Sequence, residues 1–282
     1  MIGRSNMSIG VSSMTIGLLL CLLVACEEQP IPIPEPVIPT EGRVMLLEDL
    51  TGVQCVPCHN ANLFIEALLE MTDGSVVTYG IHGDLQSEPH TESKYDFRYP
   101  DAANLEFSID FLGKPSALFN RVAQSNGMEA QTNPATWQAF VDEELAKPQV
   151  IEIEMLSTFD NNTRRIGIDL SVIALEPIEG ETNIHVVVTE SHLFDVQSTP
   201  PPDGIVMEYE HNHVMKASLT GLQGDFLSEG LEENIPVRRS YSYTIPEASN
   251  GEWNPDNIEI IAFVTAQDRN GEVQQAEQIG LK

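Results

Sequence analysis

Basic residues are scarce. The 282-residue chain carries 14 Lys and Arg against 43 Asp and Glu, a formal charge of −29. A field of that sign repels phosphate backbones and anionic headgroups, which excludes nucleic-acid binding and favours a well-solvated surface. Cysteine is scarcer still: four in all, too few for the disulfide scaffold of a small secreted domain. The longest apolar run, residues 16–24, is too short to span a bilayer. There is no glycine-rich phosphate loop and no internal repeat. Ser218 lacks the strand–turn–helix setting of a hydrolase nucleophile. Kinase, hydrolase and solenoid readings therefore have no support.

The amino terminus has the features of an export signal. Residues 1–25 hold Arg4 and no acid, and the apolar run ends in Leu23-Val24-Ala25-Cys26. That ending resembles the lipobox of bacterial lipoproteins, which implies cleavage before Cys26 and acylation of its sulfur. Lipid on Cys26 would hold the chain to a membrane. Residues 26–41 follow as a proline-rich tether, extended at about 3.1 Å per residue. Glu27 and Glu28 are candidates for a sorting signal.

The remainder is long enough for two domains. Residues 42–148 alternate strand and helix signals: a buried strand at 43–50, an amphipathic helix at 60–71 with Leu63, Phe64, Ala67, Leu68 and Met71 as its apolar face, and strands at 75–82 and 116–121. Residues 101–111 read as partly helical and 133–146 as a helix. After Pro148 the texture changes to short runs at 150–157, 165–174, 184–192, 239–245, 258–266 and 271–278, separated by Asn-Gly and Asp-Asn turns. Short strands without strong helices predict an all-β sandwich of immunoglobulin-like type over 149–282.

With Cys21 lost in the signal and Cys26 lipidated, only Cys55 and Cys58 remain. A bridge between residues three apart removes little unfolded-state entropy, so the pair needs a chemical reason. Cys55-Val56-Pro57-Cys58-His59 admits three. As a c-type haem site it would use both sulfurs and His59, but a strand running straight into the motif disfavours that cofactor. As a zinc site it is short of ligands. As a dithiol it has a strand before it and a helix after it. Cys55 would be the exposed nucleophile near the helix amino end and Cys58 the resolving thiol.

The segment from Leu47 to His59 resembles the active-site segment of the thioredoxin superfamily. The resemblance implies a cis-proline loop facing the dithiol, and Lys114, Pro115 and Ser116 match it as substrate-facing residues. Gln54 stands where an aromatic residue is usual, Lys114 replaces a small or β-branched residue, and 59–112 is long. The wider combination, with Leu47-Glu-Asp-Leu-Thr-Gly52, Asn120-Arg121 and the stretch from His211 to Gly221, resembles the outer-membrane-protein-28-related lipoproteins of Gram-negative bacteria. That resemblance implies a thioredoxin-like α/β domain followed by a β-sandwich, lipid-anchored at the outer membrane on its periplasmic face or at the cell surface.

The expected function is thiol–disulfide exchange on exported proteins or small thiols, served by an unidentified redox partner. The alternative is a surface-binding, adhesin or assembly protein with an idle or structural cysteine pair. His211 and His213, two apart and so on one face wherever the chain is extended, are the residues closest to a metal pair, with Glu190 and His192 on an earlier expected strand; no third ligand is fixed by spacing, and no metal site is assigned. His82, His90 and the acids between them are candidates for lining a cleft beside the dithiol. The stretch 199–204, rich in proline, reads as an exposed loop.

Overall fold

Residues 45–50 contain no turn former and only one polar pair, Glu48-Asp49, so the run extends as a strand that can be covered on both faces. In the computed structural model, which describes residues 42–247, 251–267 and 271–281, all six residues of this strand, β1 (Met45–Leu50), are buried. The signal segment 1–25 and the tether 26–41, Cys26 included, lie outside the described residues. Helix α1 (Cys58–Thr72) starts directly after Pro57, whose missing N–H belongs at a helix start. It ends at Asp73, in the left-handed region, followed by Gly74 at φ 86°. Its buried residues are Cys58, Ala61, Ile65 and Leu68. The expected apolar face is therefore rotated: Leu63 and Met71 are exposed. The cysteine at the first position sets the phase of the helix, which the periodicity of 60–71 alone does not reveal.

Strand β2 (Val76–Ile81) returns parallel to β1, with Met45 opposite Val76 and Leu50 opposite Ile81. Helix α2 (Pro100–Ser108) leads to β3 (Ser116–Phe119), antiparallel to β1, then to the short β4 (Ala130–Gln131) and helix α3 (Trp137–Leu145). Ten strands follow: β5 (Ile151–Asp160), β6 (Arg165–Ala174), β7 (Ile178–Glu190), β8 (Leu193–Ser198), β9 (Ile205–His211), β10 (Val214–Ser218), β11 (Asp225–Leu231), β12 (Val237–Thr244), β13 (Ile258–Ala266) and β14 (Glu272–Gly280).

These strands overturn the expected fold class. An α/β thioredoxin-like domain followed by an independent immunoglobulin-like sandwich would keep the sheets of the two halves apart. Instead β14-β13-β7-β10-β2-β1-β3-β4 run as one mixed sheet, with β11 added beside β7. The seam is narrow: Val214 of β10 pairs with Gly80 of β2, and Gly80 N–H donates to the His213 carbonyl at 2.7 Å. The physical reason is an edge: beyond β1, β2 has a free row of amide groups, and an unpaired buried edge is costly. Strand β10 covers it at Gly80. The chain is thus β-rich, with strands from both sides of Pro148 in one sheet.

Alternation along the strands sorts most of the core into three bodies, beside a smaller fourth around Val53, Phe97, Leu193 and Val214. Ile184, Val186, Ile260 and Ala262 pack with Ile153 and Ile168 of the separate β12-β6-β5 sheet. Val187 and Phe263 join Leu46, Tyr79 and Leu105 on the opposite face. Met45 and Leu47 pack with Ile65 and Leu68 of α1 and with Trp137 and Val141 of α3.

Candidate functional site

The period of two along β1 gives its neighbouring carboxylates opposite surroundings. Glu48 shares a face with Leu46, and Arg121 grips it through two hydrogen bonds of 2.8 Å, with the Tyr79 hydroxyl as a further partner. Asp49 shares the α1 face with Leu47 and has no such clamp. It is 5% exposed, its Oδ1 is unpartnered, and burial pushes its carboxyl from 3.8 up to about 7 against the opposing effects of Lys114 and the Thr51 hydroxyl.

From Leu50 the chain turns through residues 51–57 into α1, and Cys55 and Cys58 are joined by a disulfide with their Cα atoms 5.3 Å apart. Cys58 is the first residue of α1, where backbone N–H groups have no intrahelical acceptor. Both cysteines are 0% exposed. This corrects the expectation of an exposed Cys55. Val56 and Pro57 are the parts of the motif that reach solvent.

Two segments cover the pair. On one side the loop 84–90 lies against it: Gln54 N–H donates to Gln86 O at 2.9 Å and the Gln54 amide to Glu88 O at 2.8 Å. Gly52 permits this approach, since a Cβ there would meet Gln86 O at 2.4 Å. On the other side lies the two-stranded β8–β9 sheet. Ser198 N–H donates to Val53 O at 2.8 Å, and the Gln197 amide donates to Cys55 O at 3.2 Å and Gly52 O at 3.4 Å. Tyr209 of β9 meets the His59 ring edge-on at 5.6 Å.

The expected substrate loop arrives through β3. Ser116 pairs opposite Leu50, and the Lys114–Pro115 peptide is cis. Pro115 and Ser116 are buried, and Lys114 turns its ammonium inward, to Glu106, Leu85 O at 2.7 Å and Ser87 Oγ at 3.2 Å. The fold thus brings all five residues expected at the site, Cys55, Cys58, Lys114, Pro115 and Ser116, to one end of β1.

Between α1, the end of β1 and the β9–β10 turn is a cavity of about 230 Å³, bounded by Asp49, Asn62, His82, Tyr209, His211 and His213 among others; neither cysteine lines it. Burial keeps His82 well below the ordinary imidazole range and lowers His211 to about 4, so both are neutral at pH 7. His82 Nδ1 and His211 Nε2 are unpartnered. His211 and His213 do not share a strand face: His211 ends β9 and His213 sits in the following turn at φ 55°. Among the described residues no group of three or more His, Cys, Asp or Glu side chains is placed to hold a metal ion. His192 is at the surface, 2.5 Å from Glu210, and His90 joins Val53 O and Ser198 Oγ at 3.2 Å each.

Sequence reasoning missed Asp49, Gln197 and Tyr209. Asp49 carried a legible signal, a carboxylate inside an otherwise apolar buried run. Gln197 and Tyr209 carried none, because their proximity to the disulfide arises only from the path of the β8–β9 hairpin.

Comparison with known proteins places this geometry in a wider group. The model of the family described as outer membrane protein Omp28 matches residues 102–281, a stretch that omits the disulfide. HBP35 of Porphyromonas gingivalis is similar in structure, with a TM-score of 0.66 at 15% identity over 86% of this chain and 77% of that one. A solved protein of Agrobacterium tumefaciens gives a TM-score of 0.50 at 11% identity, covering 85% of this chain and 95% of its own. A domain of the outer membrane lipoprotein Omp28 from Porphyromonas gingivalis overlaps 47% of this chain and 88% of its own length at 16% identity and a TM-score of 0.33. No curated protein matches the chain. With well over half its length matched by the family model, the chain belongs to the outer membrane protein Omp28 family and is an outer-membrane-associated protein of the cell envelope.

Proposed function

We propose that this outer-membrane protein carries a thiol–disulfide exchange centre at Cys55 and Cys58. One observation carries the reading: the two sulfurs are bonded at the amino end of α1, where the bond contributes little as a staple and the helix favours a thiolate. In the reduced protein the Cys55 thiolate attacks one sulfur of a substrate disulfide and expels the other as a thiolate. Cys58, deprotonated in turn, attacks Cys55 Sγ, restores the intramolecular bond and releases the second substrate sulfur. Two electrons pass to the substrate, and the two thiol protons end on its sulfurs. Asp49, buried near the end of the strand that leads into the motif, serves as proton acceptor.

Lys114, Pro115 and Ser116 form the wall of the site on the β3 side. The substrates are exported proteins or small thiols, and an exported dithiol donor regenerates the reduced state. Lipid on Cys26 anchors the chain, with 26–41 as spacer. A Cys58→Ser variant incubated with envelope extract is expected to accumulate mixed disulfides through Cys55. If it traps none, the reading fails.

The complete burial of both cysteines favours a second reading, in which the pair is structural and the protein binds partners at the surface. Under that reading the native disulfide resists dithiothreitol until the protein unfolds.

A further inference from the structure

A buried disulfide can exchange only if something leaves it. The loop 84–90 is held by the Lys114 ammonium through Leu85 O and Ser87 Oγ, so it is braced from behind. The β8–β9 hairpin is built differently along its length. Its base is anchored: Leu193 and Val214 belong to one small core with Val53 and Phe97, and Asp195 accepts from Lys94 N–H at 3.0 Å and Tyr95 N–H at 2.9 Å. The register breaks between Asp195 and Gln197. Beyond the break, three hydrogen bonds tie Gln197 and Ser198 to the motif, while Ile205 and Met207 on the opposing strand are about half exposed.

The contacts beyond the break are those of a bound peptide. The motif presents a row of main-chain carbonyls, Gly52 O, Val53 O and Cys55 O, which accept from Cys55 N–H, the His90 ring and Cys58 N–H and have a second lone pair that the hairpin fills with one backbone N–H and one carboxamide. Any extended polypeptide offers equivalent donors. We propose that Gln197–Ser198 is a built-in occupant of a peptide site, and that an extended, cysteine-bearing segment of another exported protein takes its place along residues 52–55 during exchange. Peeling at the register break uncovers the disulfide and vacates one lone pair on each of these carbonyls in one movement. The formal charge of −29 favours segments poor in acids. This inference rests on the exchange reading above and names its substrate class and its gate.

The test uses the full chain and two rates: reduction of Cys55–Cys58 by dithiothreitol, and capture of an unstructured cysteine peptide, activated as a mixed disulfide with thionitrobenzoate, by reduced Cys58→Ser protein. Gln197→Ala removes two of the three ties, and each hydrogen bond lost is expected to raise the open population roughly fivefold. Both rates should therefore rise about tenfold or more in Gln197→Ala. They should stay within twofold of wild type in Arg239→Ala, which also loses two side-chain hydrogen bonds, to Phe226 O and Leu227 O, away from the hairpin and the motif. Native-state exchange of the Ser198 amide, read in the unsubstituted protein, should be at least a hundredfold faster than that of the Val187 amide in the central strand β7.

Equal rates in wild type and Gln197→Ala, or a Ser198 amide as protected as Val187, overturn the gate and leave the exchange reading standing. Peptide capture absent from every variant, in protein that dithiothreitol does reduce, overturns the exchange reading itself.

Discussion

Asp49 gives the sharpest quantitative test of the site. Its carboxyl is held neutral by burial, with its pKa moved from 3.8 to about 7. The folded protein therefore binds this proton more tightly than the unfolded chain does. Below pH 4 both states are protonated and the full contribution to stability is present. As pH climbs from 4 to 7 the unfolded chain releases its proton first, and stability is lost. The interval from 3.8 to about 7 corresponds to about 4 kcal/mol in total, at 1.36 kcal/mol per pH unit. Asp49→Asn supplies an uncharged side chain of the same shape at every pH. Urea unfolding of the oxidised protein should show the variant gaining on wild type by about 2–3 kcal/mol between pH 5 and pH 8. Taking the difference between two proteins cancels the other titrating groups. A gap that stays constant over that range would refute the argument, because it would mean that Asp49 is ionised throughout.

His211 should behave with the opposite sign. Burial lowers it from 6.5 to about 4, so below pH 6.5 the unfolded chain takes up a proton that the fold refuses. His211→Asn should therefore gain about 3 kcal/mol on wild type between pH 7 and pH 4 in urea titrations, and no gain would place the imidazole in water. Lys216 is the third case: its ammonium lies 3.0 Å from Glu190 and 2.9 Å from Glu252, above the rings of Tyr99 and Trp253. Lys216→Met removes the cation facing the fully buried Glu190 carboxylate, which keeps only the Trp253 and Asn254 N–H donors, and should cost about 3 kcal/mol in the same assay. A loss below 1 kcal/mol would show that water reaches the pair.

Much of the secondary structure was legible because its period is local. Strand β6 spans residues 165–174 and β13 spans 258–266 as read from the sequence, and β12 alternates residue by residue between half-buried and exposed. The strands that escaped are the two-residue β4 and β8 to β11; in β8, Asp195 and Gln197 are buried because they hold backbone groups, not because they are apolar. The joining of the sheet was illegible for a different reason. Nothing in Gly80 or Val214 marks them as partners; the bond between their strands follows from an edge that needed covering. Texture changed at Pro148, but texture reports how each segment is exposed, not which segments share a ladder. At the site, the cysteine pair and the Lys114–Pro115–Ser116 loop could be matched by motif. The burial of Cys55 could not, since the cover comes from residues about 140 positions away.

The seam between β2 and β10 also constrains how the chain reaches its native state after export. Strands β1, β2 and β3 can assemble early from nearby sequence, yet the outer edge of β2 stays open until Val214, well over a hundred residues downstream, arrives at Gly80. Pairings of such long range are slow, because loop closure precedes the contacts that compensate for it. During that interval a flat row of amide groups beside Val76, Val77, Tyr79 and Ile81 is available to any other extended chain in a crowded compartment. The half that carries the disulfide is thus the half that depends on the rest of the molecule for protection.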